Sequence, residues 1–149
     1  MPHDCIDFKG LRFWSSATST AMVMHYLVQS IQSSPDIDSW LTEPLQTWNS
    51  IAHELLGIRD PCFDIYVKNE AQRTYIRSVL SELLTRFESQ ETVSKDELDS
   101  FNLEGPGTVF FPWDLSGTKV ASLIRPFVQL LDGIEGPVPD SDNMIEKIR

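Results

Sequence analysis

The sequence predicts a mainly α protein: an irregular bundle of four or five helices with one extended segment near residues 108–111. Three observations carry that expectation. Apolar residues recur at intervals of three and four over most of the chain. Residues suited to capping helices stand ahead of those stretches. The strand-like run near 108–111 finds no evident partner strand. A chain of 149 residues fits one domain, expected over residues 1–134, with 135–149 as an acidic, mobile tail. Folding at this length buries roughly 70% of the unfolded surface, so a core forms without a metal or disulfide.

The first helix is expected from Ser16 to Gln32, where Ala17, Ala21, Met24, Val28 and Ile31 make one stripe. The serines at 15, 16 and 19 read as capping residues, since no GxSxG elbow surrounds them. Ser34-Pro35-Asp36 stops the helix, because proline cannot donate to the ladder. A second helix runs from Asp38 or Thr42 to Leu56, with Pro44 in its first turn and Gly57 after its end. Residues 59–68 read as a loop ending in a brief extended run. Asn69 and Gln72 then form a capping pair ahead of a third helix, with Ile76, Val79, Leu80, Leu83 and Phe87 inward.

Ser94 and Glu97 repeat that capping spacing and open a short helix to about Phe101, before Gly105-Pro106-Gly107 breaks the chain. Thr108 to Phe111 has strand composition and is expected to lie across the helices. Asp114 or Ser116 caps a last helix reaching Leu131, with Pro126 inside it and Gly133 as its stop.

Charge excludes several functions. Twelve Lys and Arg stand against 22 Asp and Glu, a formal net charge of −10. Anionic lipid and nucleic acid would approach through a repulsive field, so direct binding to either is disfavoured. The most apolar stretch, Ala21 to Val28, is too short to span a bilayer, and the first residues lack the basic region of a signal peptide. Cys5 and Cys62 make no CxxC and no disulfide framework, which fits reduced thiols in the cytoplasm. Acids cluster in residues 88–104 and 132–146, whereas the third helix is locally basic, with Arg73 and Arg77 one turn apart. An acidic neighbour in the same chain or a second subunit would neutralise that pair.

Candidate chemistry is sparse. His53, Glu54, Asp60, Cys62 and Asp64 lie close in sequence, and His25 joins them if the first two helices pack together. These types serve hydrolytic and metal sites, but Gly57 stands where HExxH needs its second histidine, so no metal ligand or cofactor is assigned. Cys62 between Asp60 and Asp64 has a thiol pushed up by the acids, against a nucleophilic role. Ser116-Gly117-Thr118-Lys119 has the wrong order for a phosphate loop. Phe110, Phe111 and Trp113 put three large rings in four positions, more than a small domain readily covers, and mark an interface with a partner or a second copy.

These features together favour a non-catalytic cytoplasmic protein acting through protein–protein contacts: an adaptor, an inhibitor or an immunity-type neutraliser of a basic partner. Its expected partner-binding residues are Phe110, Phe111, Trp113, Arg73 and Arg77. Two other classes compete. One is a small metal-dependent hydrolase or metal-binding bundle using His25, His53, Glu54 and Asp60. The other is a small-ligand sensor with a pocket near Trp14, Trp48 and Trp113.

Overall fold

A computed structural model describes residues 3–53, 59–99 and 113–149. The chain begins with a hairpin rather than a helix: strands β1 (His3–Phe8) and β2 (Leu11–Ser16) pair antiparallel, with Ile6 opposite Phe13 and Cys5 opposite Trp14. Lys9 and Gly10 turn the hairpin with φ of 49° and 81°. Two positive φ values are what a two-residue turn matching strand twist requires. Ile6, Phe8 and Phe13 point into the core, and Trp14 points out.

Helix α1 (Ala17–Gln32) follows directly, its first turn capped by Ser16, whose Oγ accepts from the Ser19 N–H at 3.1 Å. A 3₁₀ turn (Ser39–Leu41) leads into α2 (Thr42–His53), with Pro44 in its first turn as expected. The expected continuation of this helix to Leu56 lies outside the described residues. Residues 63–67 correct the expected extended run: Phe63–Tyr66 is a one-turn helix, α3, entered through Cys62 at φ 55°. Trp48 anchors this connection by donating its indole N–H to the Pro61 carbonyl at 2.8 Å.

Helix α4 (Glu70–Ser89) has Asn69 as its cap, and the Asn69 side chain accepts from the Gln72 N–H. Its buried residues are Ile76, Val79, Leu80, Leu83 and Phe87, the five that helical spacing selects. Strand β3 (Thr92–Val93), helix α5 (Lys95–Asp99), strand β4 (Leu115–Ser116) and helix α6 (Gly117–Asp132) follow. β3 pairs antiparallel with β4. Helix α6 runs through Pro126 and ends at Gly133, in the left-handed conformation that favours glycine. The extended segment expected at 108–111 lies outside the described residues.

Two short strands, β5 (Gly136–Pro137) and β6 (Met144–Lys147), complete a four-stranded antiparallel sheet in the order β1-β2-β6-β5. The fold is therefore α+β, which corrects the mainly α bundle. The strands escape a sequence reading because none offers more than two inward apolar residues, too few to set a period of two. The stretch expected as a mobile tail supplies a strand beside β2, and its Val138 and Ile145 join the core. The sheet rests on α6 through Phe13 and Phe127, whose rings meet edge to face at 5.0 Å. α4 lies along α6, and α1 packs against α2.

Candidate functional site

The pleat of β1 and β2 sorts their side chains between two faces. Cys5, Asp7, Arg12 and Trp14 share the outward face, with Asp7 opposite Arg12 and Cys5 opposite Trp14. Trp14 is 48% exposed. The Arg12 guanidinium lies 5.7 Å from the Trp14 ring centre and donates to Glu146 of β6 at 3.2 Å. Helix α3 lies against β1, and the Lys9 backbone N–H donates to Asp64 at 2.9 Å. Asp60 accepts from the Cys62 N–H at 2.8 Å.

Acids thus gather beside β1. Burial pushes the Asp7 carboxyl up, and the charges of Asp60 and Asp64 push it further. Among the described residues no lysine or arginine forms an ion pair with these three acids. The thiols of Cys5 and Cys62 are also pushed up, first by burial and then by Asp7 and Asp60. Thiols so placed stay protonated and are poor nucleophiles.

His25 and His53 do come together. The ring of His25, midway along α1, meets that of His53, the last residue of α2, edge to face with 5.5 Å between centres. Tyr26 beside it donates its hydroxyl to Glu97 of α5, which also accepts from Arg86 of α4 at 3.5 Å. Burial lowers the His25 pKa to about 4, the charge of His53 lowers it as well, and Glu97 opposes both. Burial and the Glu97 hydrogen bond push the Tyr26 phenol up. Asp60 lies apart from this corner, with Asp7 and Cys62, and Glu54 lies outside the described residues. Among the described residues no group of three or more His, Cys, Asp and Glu side chains is placed to hold a metal ion.

Arg73 and Arg77 find their counter-charge within the chain. Arg77 grips Asp132 at the end of α6 with two hydrogen bonds, of 2.7 and 3.2 Å. Arg73 donates to the Leu131 carbonyl at 3.0 Å and pairs with Glu70. A groove of about 690 Å³ opens beside them, walled by Phe8, Leu11, Leu130 and Ile134. Trp113 is 66% exposed, while Phe110 and Phe111 lie outside the described residues. The three tryptophans expected around one pocket are dispersed among different settings: Trp48 is buried in the core, Trp14 faces out from the sheet, and Trp113 precedes β4.

Arg59 is the structural residue that sequence reasoning overlooked. Its guanidinium donates to Asp4 of β1 at 3.2 Å, to the Ala17 carbonyl at 2.7 Å and to the Ile51 carbonyl at 3.3 Å. One side chain therefore ties the first strand to the start of α1 and to α2. Glu97 was likewise invisible as a neighbour of His25, being 72 positions later in the chain. The sequence signal at Glu97, its capping relation to Ser94, concerned the backbone of α5 alone.

Together these features define an α+β protein with an acidic, tryptophan-bearing sheet face and a paired-histidine corner. Compared with known proteins, the chain matches no family model, no curated relative and no solved structure.

Proposed function

We propose that the protein acts without catalysis, in the cytoplasm, by binding another protein that presents a basic surface, as an adaptor, inhibitor or neutraliser. The observation that carries this reading is the outward sheet face, which half-exposed Trp14 shares with Asp7, whose carboxyl feels the charges of Asp60 and Asp64. Beyond the effect of burial, Asp60 and Asp64 repel the ionised Asp7 carboxylate, and a partner's lysines or arginines would relieve that repulsion. Trp14 supplies the apolar anchor that such interfaces place near their centre. The chain's net charge of −10 adds long-range attraction for a cationic partner. Trp113, ahead of β4, is a second exposed tryptophan. With their guanidiniums occupied by Asp132 and Glu70, Arg73 and Arg77 contribute to a contact only as a neutralised cluster.

The test compares wild-type protein with Trp14→Ala and with Asp7→Asn/Asp60→Asn as baits for cell extract, followed by kinetics on the purified partner. Expected is a basic protein that both variants retain at least tenfold less. Its association should slow steeply between about 50 and about 500 mM salt, as the screening length shrinks. Equal retention by all three baits, or an association rate indifferent to salt, overturns the reading.

A further inference from the structure

We propose that the groove between the hairpin turn, the start of α4 and the end of α6 binds a small monocarboxylate with an apolar tail. Its volume of about 690 Å³ lies in the range of small-ligand sites, which combine apolar walls with a few polar groups. Phe8 and Leu11 of the hairpin face the groove together with Leu130 of α6 and Ile134 just beyond it. Ile134 is 55% exposed, so a ligand's tail would cover apolar surface that otherwise meets water.

Charge selects the head group. Lys9, Arg73 and Arg77 line the groove with Glu70 and Asp132, which leaves it a net positive charge in a chain of net charge −10. Arg73 and Arg77 are paired with Glu70 and Asp132, whereas among the described residues Lys9 forms no ion pair. The Lys9 ammonium stands 5.3 Å from the centre of the Phe8 ring, one of the apolar walls. Beside such a wall a cation attracts a carboxylate more strongly than in open water. The first turn of α4 reaches the same groove through Glu70 and Arg73, and the positive end of a helix dipole favours an anion there. At the end of α6 the carbonyls of Gln129, Leu130 and Leu131 already accept from the N–H groups of Ile134 and Gly133 and from Arg73. A carboxylate therefore meets no bare acceptor among these three. The site does not rest on the reading of the sheet face around Trp14 and takes a different class of ligand.

The deciding experiment titrates sodium octanoate into the full chain by calorimetry at about pH 7, where the carboxylate is ionised, with octylammonium and octanol as probes of the same tail. Expected is one octanoate per chain, bound at least tenfold more tightly than either other probe. Lys9→Asn removes the charge and keeps a residue type that tolerates the positive φ of this turn, and it should weaken binding at least fivefold. Ile134→Ser should weaken it at least threefold, and Lys119→Ala, at the other end of α6, should leave it unchanged. Circular dichroism confirms the fold of each variant, and if Lys9→Asn does not fold, the head-group comparison and Ile134→Ser decide. The proposal is overturned by the absence of saturable binding, by octanol or octylammonium binding as tightly as octanoate, or by affinity unchanged in folded Lys9→Asn or in Ile134→Ser.

Discussion

Asp4 and Asp7, three positions apart on one strand, meet opposite electrostatic fates. Asp4 faces inward and is paired with Arg59, each side chain only 10% exposed. Removing one partner of so covered a pair would strand the other charge. Asp7 faces outward among like charges, and its carboxyl is pushed up by burial, Asp60 and Asp64. A carboxyl with a raised pKa holds its proton more tightly in the fold than in the unfolded chain. The ionised group therefore opposes folding, and its stability contribution is lost as pH rises from the ordinary 3.8 through the raised value. Asp7→Asn should stabilise the protein at neutral pH by on the order of 0.5 kcal/mol, the scale of exposed charge interactions. That gain should shrink on acidification. Thermal melts at about pH 7 and about pH 3.5 check both signs. A variant no more stable than wild type at neutral pH would remove the like-charge cost from the account of this face.

Among the elements, the helices follow local rules closely and the junctions between them do not. α1, α4 and α6 each begin at a residue whose side chain accepts a first-turn N–H: Ser16, Asn69 and Ser116. The start of α6 also carries a tertiary constraint. Gly117 donates its N–H to the Glu91 carbonyl at 3.1 Å, and a Cβ there would collide with the backbone carbonyls of Phe87 and Gln90. These are main-chain atoms at the end of α4, so relief requires one helix to move. Gly117→Ala should therefore cost about 3 kcal/mol, at the upper end of overpacking penalties, despite the better helix propensity of alanine. Denaturant unfolding of Gly117→Ala beside Thr118→Ala, at the exposed next position, separates collision from propensity. Equal stabilities for the two would show that α6 docks on α4 less closely than described.

For the whole molecule, the C-terminal residues decide the architecture. β6 lies between β2 and β5, pairing Arg12 with Glu146 and Leu11 with Lys147, and it buries Ile145 completely. A sheet that is hydrogen-bonded across more than a hundred residues of sequence makes closure of the fold depend on this strand. Ile145→Ala should cost about 3 kcal/mol, as truncation of a buried aliphatic side chain does. Ile148→Ala, at a position 43% exposed, should change stability little. Equilibrium unfolding in urea distinguishes them. If both substitutions are neutral, residues 144–149 behave as a tail.

Legibility followed the range of the interactions. The inward residues of α4 repeat at helical spacing over 20 residues, so the pattern identified all five. The hairpin has strands of six residues and turns at Lys9-Gly10 rather than at Asn-Gly, leaving a weak local signal. Arg73 and Arg77 were legible as a pair in need of an acid. Identifying Asp132 required the packing of α4 on α6, which no spacing within α4 encodes. The convergence of His25 with His53 likewise depends on how α1 meets α2, while Asp60, close to His53 in sequence, turns away to the sheet.

By itself the sequence determined the main helices, their caps and their inward faces, together with a strongly acidic charge balance, because propensity, capping and amphipathic period act over a few residues. Only the tertiary structure decided that two distant segments of the chain make one sheet, that Asp60 and Asp64 gather with Asp7 beside β1, and that two histidines meet. Each of these depends on pairing or packing between segments tens of residues apart, where the free energy lies in contacts that local sequence does not display.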